Sequence, residues 1–208
     1  MNIETYIDYG NYHHLFDFKF DIAKLQGALT DVLSIQQFET PGVTNFGAIP
    51  LNRIPGDPSS VEGNKIRAKY WTIPDSDGKE VERDVYVEEH LYTEFIPKYE
   101  NTYFKEVYDT LKEYCKEQYD GRLGRVRLMK SKPRTCLSWH RDPEARIHVP
   151  IITNIGAKLI IEDEVKHLPV GRAWYTNTVF YHSQFNGGET DRVHLVTSVI
   201  RSESYWAK

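Results

Sequence analysis

Apolar positions recur with two different periods along this chain. From Asp21 onward, Ile22, Leu25, Leu29, Val32 and Leu33 return at roughly helical spacing and predict an amphipathic helix, which Gly27 weakens. A clearer helix is predicted over Thr102 to Glu117. There Phe104, Val107, Tyr108, Leu111, Tyr114 and Cys115 form an apolar stripe, while Lys105, Glu106, Lys112 and Glu113 face water. Asn101 is placed to cap its start, and Gly121 lies beyond its end. Residues 65–72 and 82–89 read as extended, with a turn across Asp75 to Gly78. Between them and the first helix, Pro41, Gly42, Gly47, Pro50, Pro55, Gly56 and Pro58 predict a long loop over 41–62. Phe46, Ile49, Leu51 and Ile54 within it imply packing, so the segment is read as a linker or as a loop covering a site opening.

After Gly121 the period becomes two. Extended segments are expected near 123–130, 134–141, 146–152, 157–162, 172–175, 178–184 and 192–200, separated by Pro143, Asn154 to Gly156, Pro169 to Gly171 and Asn186 to Gly188. Short strands in close succession after a helical first half predict a mainly β sandwich or barrel, a jelly roll supported on its outside by helices. Alternation also assigns faces. In 146–152, Arg146, His148, Pro150 and Ile152 share one side and Ile147, Val149 and Ile151 the other; in the last strand, Arg192, His194, Val196 and Ser198 oppose Val193, Leu195, Thr197 and Val199. The apolar faces are expected to meet the helices or a second sheet, and the mixed faces to line a cavity.

Composition narrows the function classes. The 208 residues suit one substantial core, and the net charge of -4, from 26 basic and 30 acidic residues, gives no support to a nucleic-acid partner. The local basic run of Arg122, Arg125, Arg127, Lys130, Lys132 and Arg134 is a solvated strand face or a mouth that attracts an anion. Cys115 and Cys136 define no disulfide framework or metal pattern, and Cys115 reads as a small buried hydrophobe. The amino terminus has no signal-like apolar core, and no apolar run is long enough to span a bilayer. A cytoplasmic protein without a membrane partner is the expectation; the oligomeric state stays open.

Candidate chemistry begins at His140 and Asp142. Side chains two apart in extended backbone point the same way, and His182 would add a second imidazole. Two histidines and a carboxylate are the ligand types of the facial triad that binds non-haem iron with open positions. The alternative is a local hydrogen-bonding pair in a chain with eight histidines. Arg192, if directed into a cavity, needs an anion, which is either a ligand or a buried partner such as Asp163 or Glu189. His13 and His14 have no partner pattern, and His194 is either a pocket residue or a buried histidine bonded to backbone.

Several ordered stretches match together. Residues 139–154 (WHRDPEARIHVPIITN), 171–186 (GRAWYTNTVFYHSQFN) and 191–196 (DRVHLV) closely resemble the aspartyl/asparaginyl β-hydroxylase-like branch of the iron(II)/2-oxoglutarate dioxygenases. That branch includes proline hydroxylases with a His-x-Asp pair. The resemblance runs over about 120 to 196 and implies a double-stranded β-helix, a cupin-like jelly roll. It implies one dioxygenase domain over 1–208, with 1–120 as helical and loop support or lid and 121–200 as the jelly-roll core. It further implies that His140, Asp142 and His182 ligate Fe(II) and that Arg192 grips the distal carboxylate of 2-oxoglutarate. His148 falls on the cosubstrate side of the pocket, and Arg146 is a pocket arginine that meets substrate. Trp174 and Asn177 belong to the shared G-x-x-W-x-x-N element, Trp174 as core packing or a platform, Asn177 as a turn residue or a support for His182. Members with glycine at the carboxylate position make halogenation the alternative chemistry; Asp142 favours hydroxylation.

The implied reaction consumes molecular oxygen, converts 2-oxoglutarate to succinate by oxidative decarboxylation, and hydroxylates an amino acid or peptidyl side chain. A small amino-acid-like substrate is preferred, since no helical repeat array is visible for a long protein substrate. Two other readings stand beside it: a cupin-like metal-binding protein or metalloenzyme that does not use 2-oxoglutarate, and a binding or structural jelly roll.

Overall fold

The computed structural model describes residues 10–39, 45–62, 69–74, 78–83 and 87–201. In chain order these form β1 (Tyr12–Lys19), α1 (Ile22–Ile35), β2 (Phe46–Pro50), β3 (Asn52–Arg53), β4 (Tyr70–Thr72), β5 (Val81–Arg83), β6 (Glu94–Phe95) and α2 (Tyr103–Tyr119). There follow β7 (Gly121–Ser131), β8 (Thr135–Cys136), β9 (His140–Arg141), β10 (Arg146–Ile152), β11 (Ala157–Ile161), β12 (Glu164–Lys166), β13 (Arg172–Thr176), β14 (His182–Asn186) and β15 (Arg192–Arg201).

Both helices form where apolar spacing places them. Asp21 caps α1 by accepting the Lys24 N–H at 3.1 Å, and Leu25, Ala28, Leu29 and Val32 are its buried face. In α2 the buried stripe is Phe104, Val107, Tyr108, Leu111, Cys115 and Tyr119. Its ends differ from the expected caps. Thr102, not Asn101, precedes the first turn, and Asp120 takes the left-handed conformation at φ 46°. Gly121 is needed for another reason: a Cβ there would lie 2.5 Å from the Ile200 carbonyl oxygen on the neighbouring strand.

The fold is a jelly roll of two facing sheets. The larger runs β1-β13-β10-β15-β7-β2, and the smaller runs β12-β11-β14-β9-β4-β5, with β8 also on β14. The outer face of the larger sheet carries Val126, Leu128, Ile147, Val149, Tyr175 and Leu195, which pack with Leu25, Leu29, Phe104, Val107 and Leu111 of the helices into one core. Each fully buried leucine or valine in it contributes about 1.5–3 kcal/mol. Polar residues of the same strands alternate onto the inner face, as expected for β10 and β15.

Several local expectations are corrected. The loop expected over 41–62 contains β2, which pairs with β7 from Phe46 opposite Ser131 to Pro50 opposite Arg127. Pro50 is tolerated because β2 is an edge strand. The single strand expected over 134–141 is two short ones, β8 and β9. Residues 178–180 are a turn, with the Phe180 N–H on the Asn177 carbonyl at 3.1 Å, and β14 begins at His182. Of the segment expected to be extended over 82–89, the last residue, Glu89, instead opens a 3-10 turn running to Leu91. Residues 40–44, 63–68, 75–77 and 84–86, including most of the expected turn at Asp75 to Gly78, lie outside the described residues. Both cysteines are free, Cys115 buried and Cys136 exposed. Among the described residues no helix is long and apolar enough to cross a membrane.

Candidate metal centre

Between the sheets lies a cavity of about 410 Å³, lined from one side by Arg127, Arg146, His148 and Arg192 and from the other by His140, His182 and Gln184. On its wall His140, Asp142 and His182 converge, each offering one ligand atom within 4.8 Å of the others. Register explains the convergence: His140 of β9 is directly opposite His182 of β14, and their rings are 4.2 Å apart. Asp142 directly follows β9, held by its N–H on the Thr178 carbonyl at 2.8 Å. Its Oδ2 is 3.8 Å from His182 Nε2.

The hydrogen bonds leave these groups able to hold a metal. His140 Nδ1 donates to the Ser138 carbonyl at 2.6 Å and His182 Nδ1 to the Phe180 carbonyl at 3.0 Å. Both protons are thereby placed on Nδ1, and the Nε2 lone pairs are left for a metal. Burial pushes His182 down to about 4, so its imidazole is neutral near pH 7. Burial also works against ionisation of Asp142, but the charge of Arg146, then His182 and His140, outweighs it and holds the carboxyl below its usual range. Arg146 Nε donates to Asp142 Oδ2 at 2.9 Å, and Arg146 Nη1 donates to Glu89. A divalent cation with nitrogen and oxygen preferences fits this donor set.

Glu89 is a residue that sequence reasoning missed. It is 2% exposed, and its carboxylate meets Arg125 at 2.8 Å and Arg127 at 3.4 Å as well as Arg146. Burial opposes its charge, yet the three guanidinium groups hold it well below the usual carboxylate range. Gly124 lets the Glu89 turn approach β7, since a Cβ there would lie 2.9 Å from the Glu89 carbonyl oxygen. Strand alternation of Arg125 and Arg127 was the available signal for one side of this cluster; nothing local marks Glu89. The basic run therefore divides. Arg125 and Arg127 are buried, whereas Arg134 is exposed and pairs with Glu189 at 2.7 Å.

Arg192 stands apart from that network. It is 4% exposed and lines the cavity, and its guanidinium donates from Nη2 to His194 Nδ1 at 2.8 Å. Neither Asp163 nor Glu189 pairs with it, and no carboxylate does so among the described residues. Burial alone pushes its pKa down to about 9. His194 and His148 face each other edge to face, 5.7 Å between ring centroids. Burial first, and Arg192 next, push both histidines below their ordinary values.

The remaining candidates take supporting positions. Trp174 lies opposite His148 in the β10–β13 register, packs on the small cluster of Leu159, Ile161 and Leu168, and stacks on His14 at 4.6 Å. It is not among the residues lining the cavity. Asn177 is buried and reaches His182 through backbone, because its carbonyl accepts the N–H of Phe180, the residue whose own carbonyl holds His182 Nδ1.

Fold and site together define a jelly-roll protein with a two-histidine, one-carboxylate cluster set in a cavity of buried arginines. The family model described as aspartyl/asparaginyl beta-hydroxylase matches residues 92–202, and the chain belongs to that family. Among solved structures, a 2OG-Fe(II) oxygenase family oxidoreductase from Burkholderia pseudomallei shares 12% identity. That match covers 92% of this chain and 85% of the other at a TM-score of 0.56. The 2OG complex of viral collagen prolyl hydroxylase from Paramecium bursaria Chlorella virus-1 shares 8% identity, with 94% and 98% covered and a TM-score of 0.53. At these identities the two structures establish a common fold. No curated protein matches the sequence.

Proposed function

We propose that this protein is an iron(II)/2-oxoglutarate-dependent hydroxylase of an amino acid or peptidyl side chain. Family membership supports the reaction class, and one observation carries the cosubstrate: a buried arginine, Arg192, with no carboxylate partner among the described residues, on the wall of the cavity that holds His140, Asp142 and His182. A buried guanidinium without a counter-charge is expensive, and a dicarboxylate bound in the cavity supplies one.

In this reading His140, Asp142 and His182 hold iron, and their Nδ1–H bonds to backbone carbonyls fix the imidazole orientation beforehand. Iron(II), when bound, supplies the activation of oxygen and the one-electron chemistry that no side chain here provides. Arg192 grips the distal carboxylate of 2-oxoglutarate, and His194 holds the guanidinium in place. His148, neutral and buried beside it, forms the cosubstrate wall. Arg146 keeps Asp142 ionised and, already paired with Asp142 and Glu89, lines the cavity as an N–H donor that meets the substrate. The enclosed, arginine-lined space orients both acids and limits wasteful oxidation.

Anaerobic titration with iron(II) and then 2-oxoglutarate, followed by succinate assay across free amino acids and short peptides, tests this. The expected result is a charge-transfer absorption band that His140→Ala abolishes. Arg192→Ala is expected to keep iron but to need roughly 10- to 100-fold more 2-oxoglutarate, the loss of a hydrogen-bonded ion pair. Unchanged 2-oxoglutarate affinity in Arg192→Ala would remove Arg192 as its anchor, and wild-type turnover that needs no 2-oxoglutarate would identify a metalloenzyme that does not use this cosubstrate.

A further inference from the structure

The strands that carry the two histidines of the site are joined to each other by a short link. β9 is two residues long and meets β14 at a single residue pair, His140 opposite His182. β14 is otherwise held by β11 and β9 by β4, so the direct strand contact between the two histidines is one residue pair wide. A second link joins the same two backbones from outside. Glu80 Oε1 accepts from Arg141 Nε at 2.6 Å and from Tyr181 Oη at 2.7 Å, and Glu80 Oε2 accepts from Arg141 Nη2 at 2.7 Å. Arg141 directly follows His140, and Tyr181 directly precedes His182. Neighbouring residues in extended backbone point to opposite sides, so a bridge between Arg141 and Tyr181 spans the outer side of the pair whose inner side carries the imidazoles.

The rest of the outer layer reinforces this bridge. β4 pairs with β9, placing Trp71 opposite Arg141 and Thr72 opposite His140. The Arg141 guanidinium lies over the Trp71 ring, 4.3 Å from its centroid. Glu80 and Arg141 are partly exposed, 38% and 26% by side chain, which limits their contribution to global stability. Their placement instead acts on local geometry.

We propose that Glu80 is a positioning residue for the metal centre, its carboxylate bridging Arg141 and Tyr181 and thereby setting the separation of His140 and His182. This rests on reading those histidines as metal ligands. Glu80 touches neither ring.

Cobalt(II), a substitute for iron(II) with visible ligand-field absorption, reads the geometry directly. Anaerobic cobalt(II) titrations would compare the wild type with Glu80→Ala, Glu80→Gln, Tyr181→Phe and His140→Ala. Glu94→Ala removes a comparable ion pair, Arg53 to Glu94 at 2.5 Å, from the small β3–β6 sheet and serves as a control. Glu80→Ala is expected to weaken cobalt affinity about tenfold or more and to alter its ligand-field bands, as loss of outer supporting partners does. Glu80→Gln and Tyr181→Phe should show smaller changes in the same direction, and Glu94→Ala none. Wild-type affinity and band shape in folded Glu80→Ala overturn the proposal. Should Glu80→Ala fail to fold, the same two readings in Tyr181→Phe decide it, wild-type values counting against. A wild type that binds no cobalt, or a His140→Ala that binds it equally well, overturns the metal-centre reading and this inference with it. Binding lost in His140→Ala but unaltered in Glu80→Ala overturns this inference alone.

Discussion

Arg192 and Arg146 show how differently two buried arginines of one cavity are used. Arg146 is neutralised inside the protein by Asp142 and Glu89, while among the described residues the side chain of Arg192 donates to the neutral His194 and to no carboxylate. Burying a charge without a counter-ion opposes folding. Arg192→Met is therefore expected to raise the urea midpoint of the ligand-free protein while abolishing high-affinity 2-oxoglutarate binding, read by equilibrium unfolding and by titration. A lower midpoint would mean that Arg192 is compensated in the folded protein. Alternation along β15 made the inward direction of Arg192 legible in the sequence, because period two needs only local backbone. The choice between a protein carboxylate and a ligand was not legible. It depended on where Glu189 goes, and Glu189 goes outward to Arg134.

At the scale of elements, the helices and the long inner strands were readable because each carries its own apolar period. Strands whose pairing comes from elsewhere were not. β1 mixes exposed Asp17 and Lys19 with buried Leu15, and its place at the sheet edge comes from pairing with β13. β2 lies in a proline- and glycine-rich stretch and extends because β7 offers it an edge. The corner after β2 depends on one side chain. Asn52 is fully buried, donates to the carbonyls of Tyr92 at 2.9 Å and Gly124 at 2.8 Å, and accepts the Val126 N–H at 2.7 Å. Asn52→Ala leaves three backbone groups without partners in the interior. A loss of about 3 kcal/mol is expected in chemical denaturation, since each stranded buried group costs about 1–3 kcal/mol. Because Tyr92 and Gly124 flank the Glu89 contact, the same variant should weaken metal binding.

Over the whole molecule, the buried ionisable groups set the response to acid. His148, His182 and His194 all have pKa values pushed below the ordinary histidine range by burial. The unfolded chain thus binds more protons than the folded one below about pH 6.5, and stability rises with pH in that window and falls as the pH drops through it. Each such histidine removes up to about 2 kcal/mol between pH 7 and pH 5. Glu144, pushed up to about 7 chiefly by burial, works in the opposite sense and offsets roughly one of the three. The metal-free protein is expected to melt at a lower temperature at pH 5 than at pH 7, as scanning calorimetry would show; equal temperatures would mean that these histidines are protonated in the folded state. By itself the sequence determined the two helices, the alternating faces of β10 and β15, and the His140-x-Asp142 pair, all properties of residues close together along the chain, while the approach of His182 to that pair is a strand contact across forty residues. Only tertiary structure decided the edge strands, the burial of Arg125 and Arg127 around Glu89, the isolation of Arg192 and the Glu80 bridge. Those depend on contacts between residues far apart in the chain, and local periodicity carries no information about which distant charges meet.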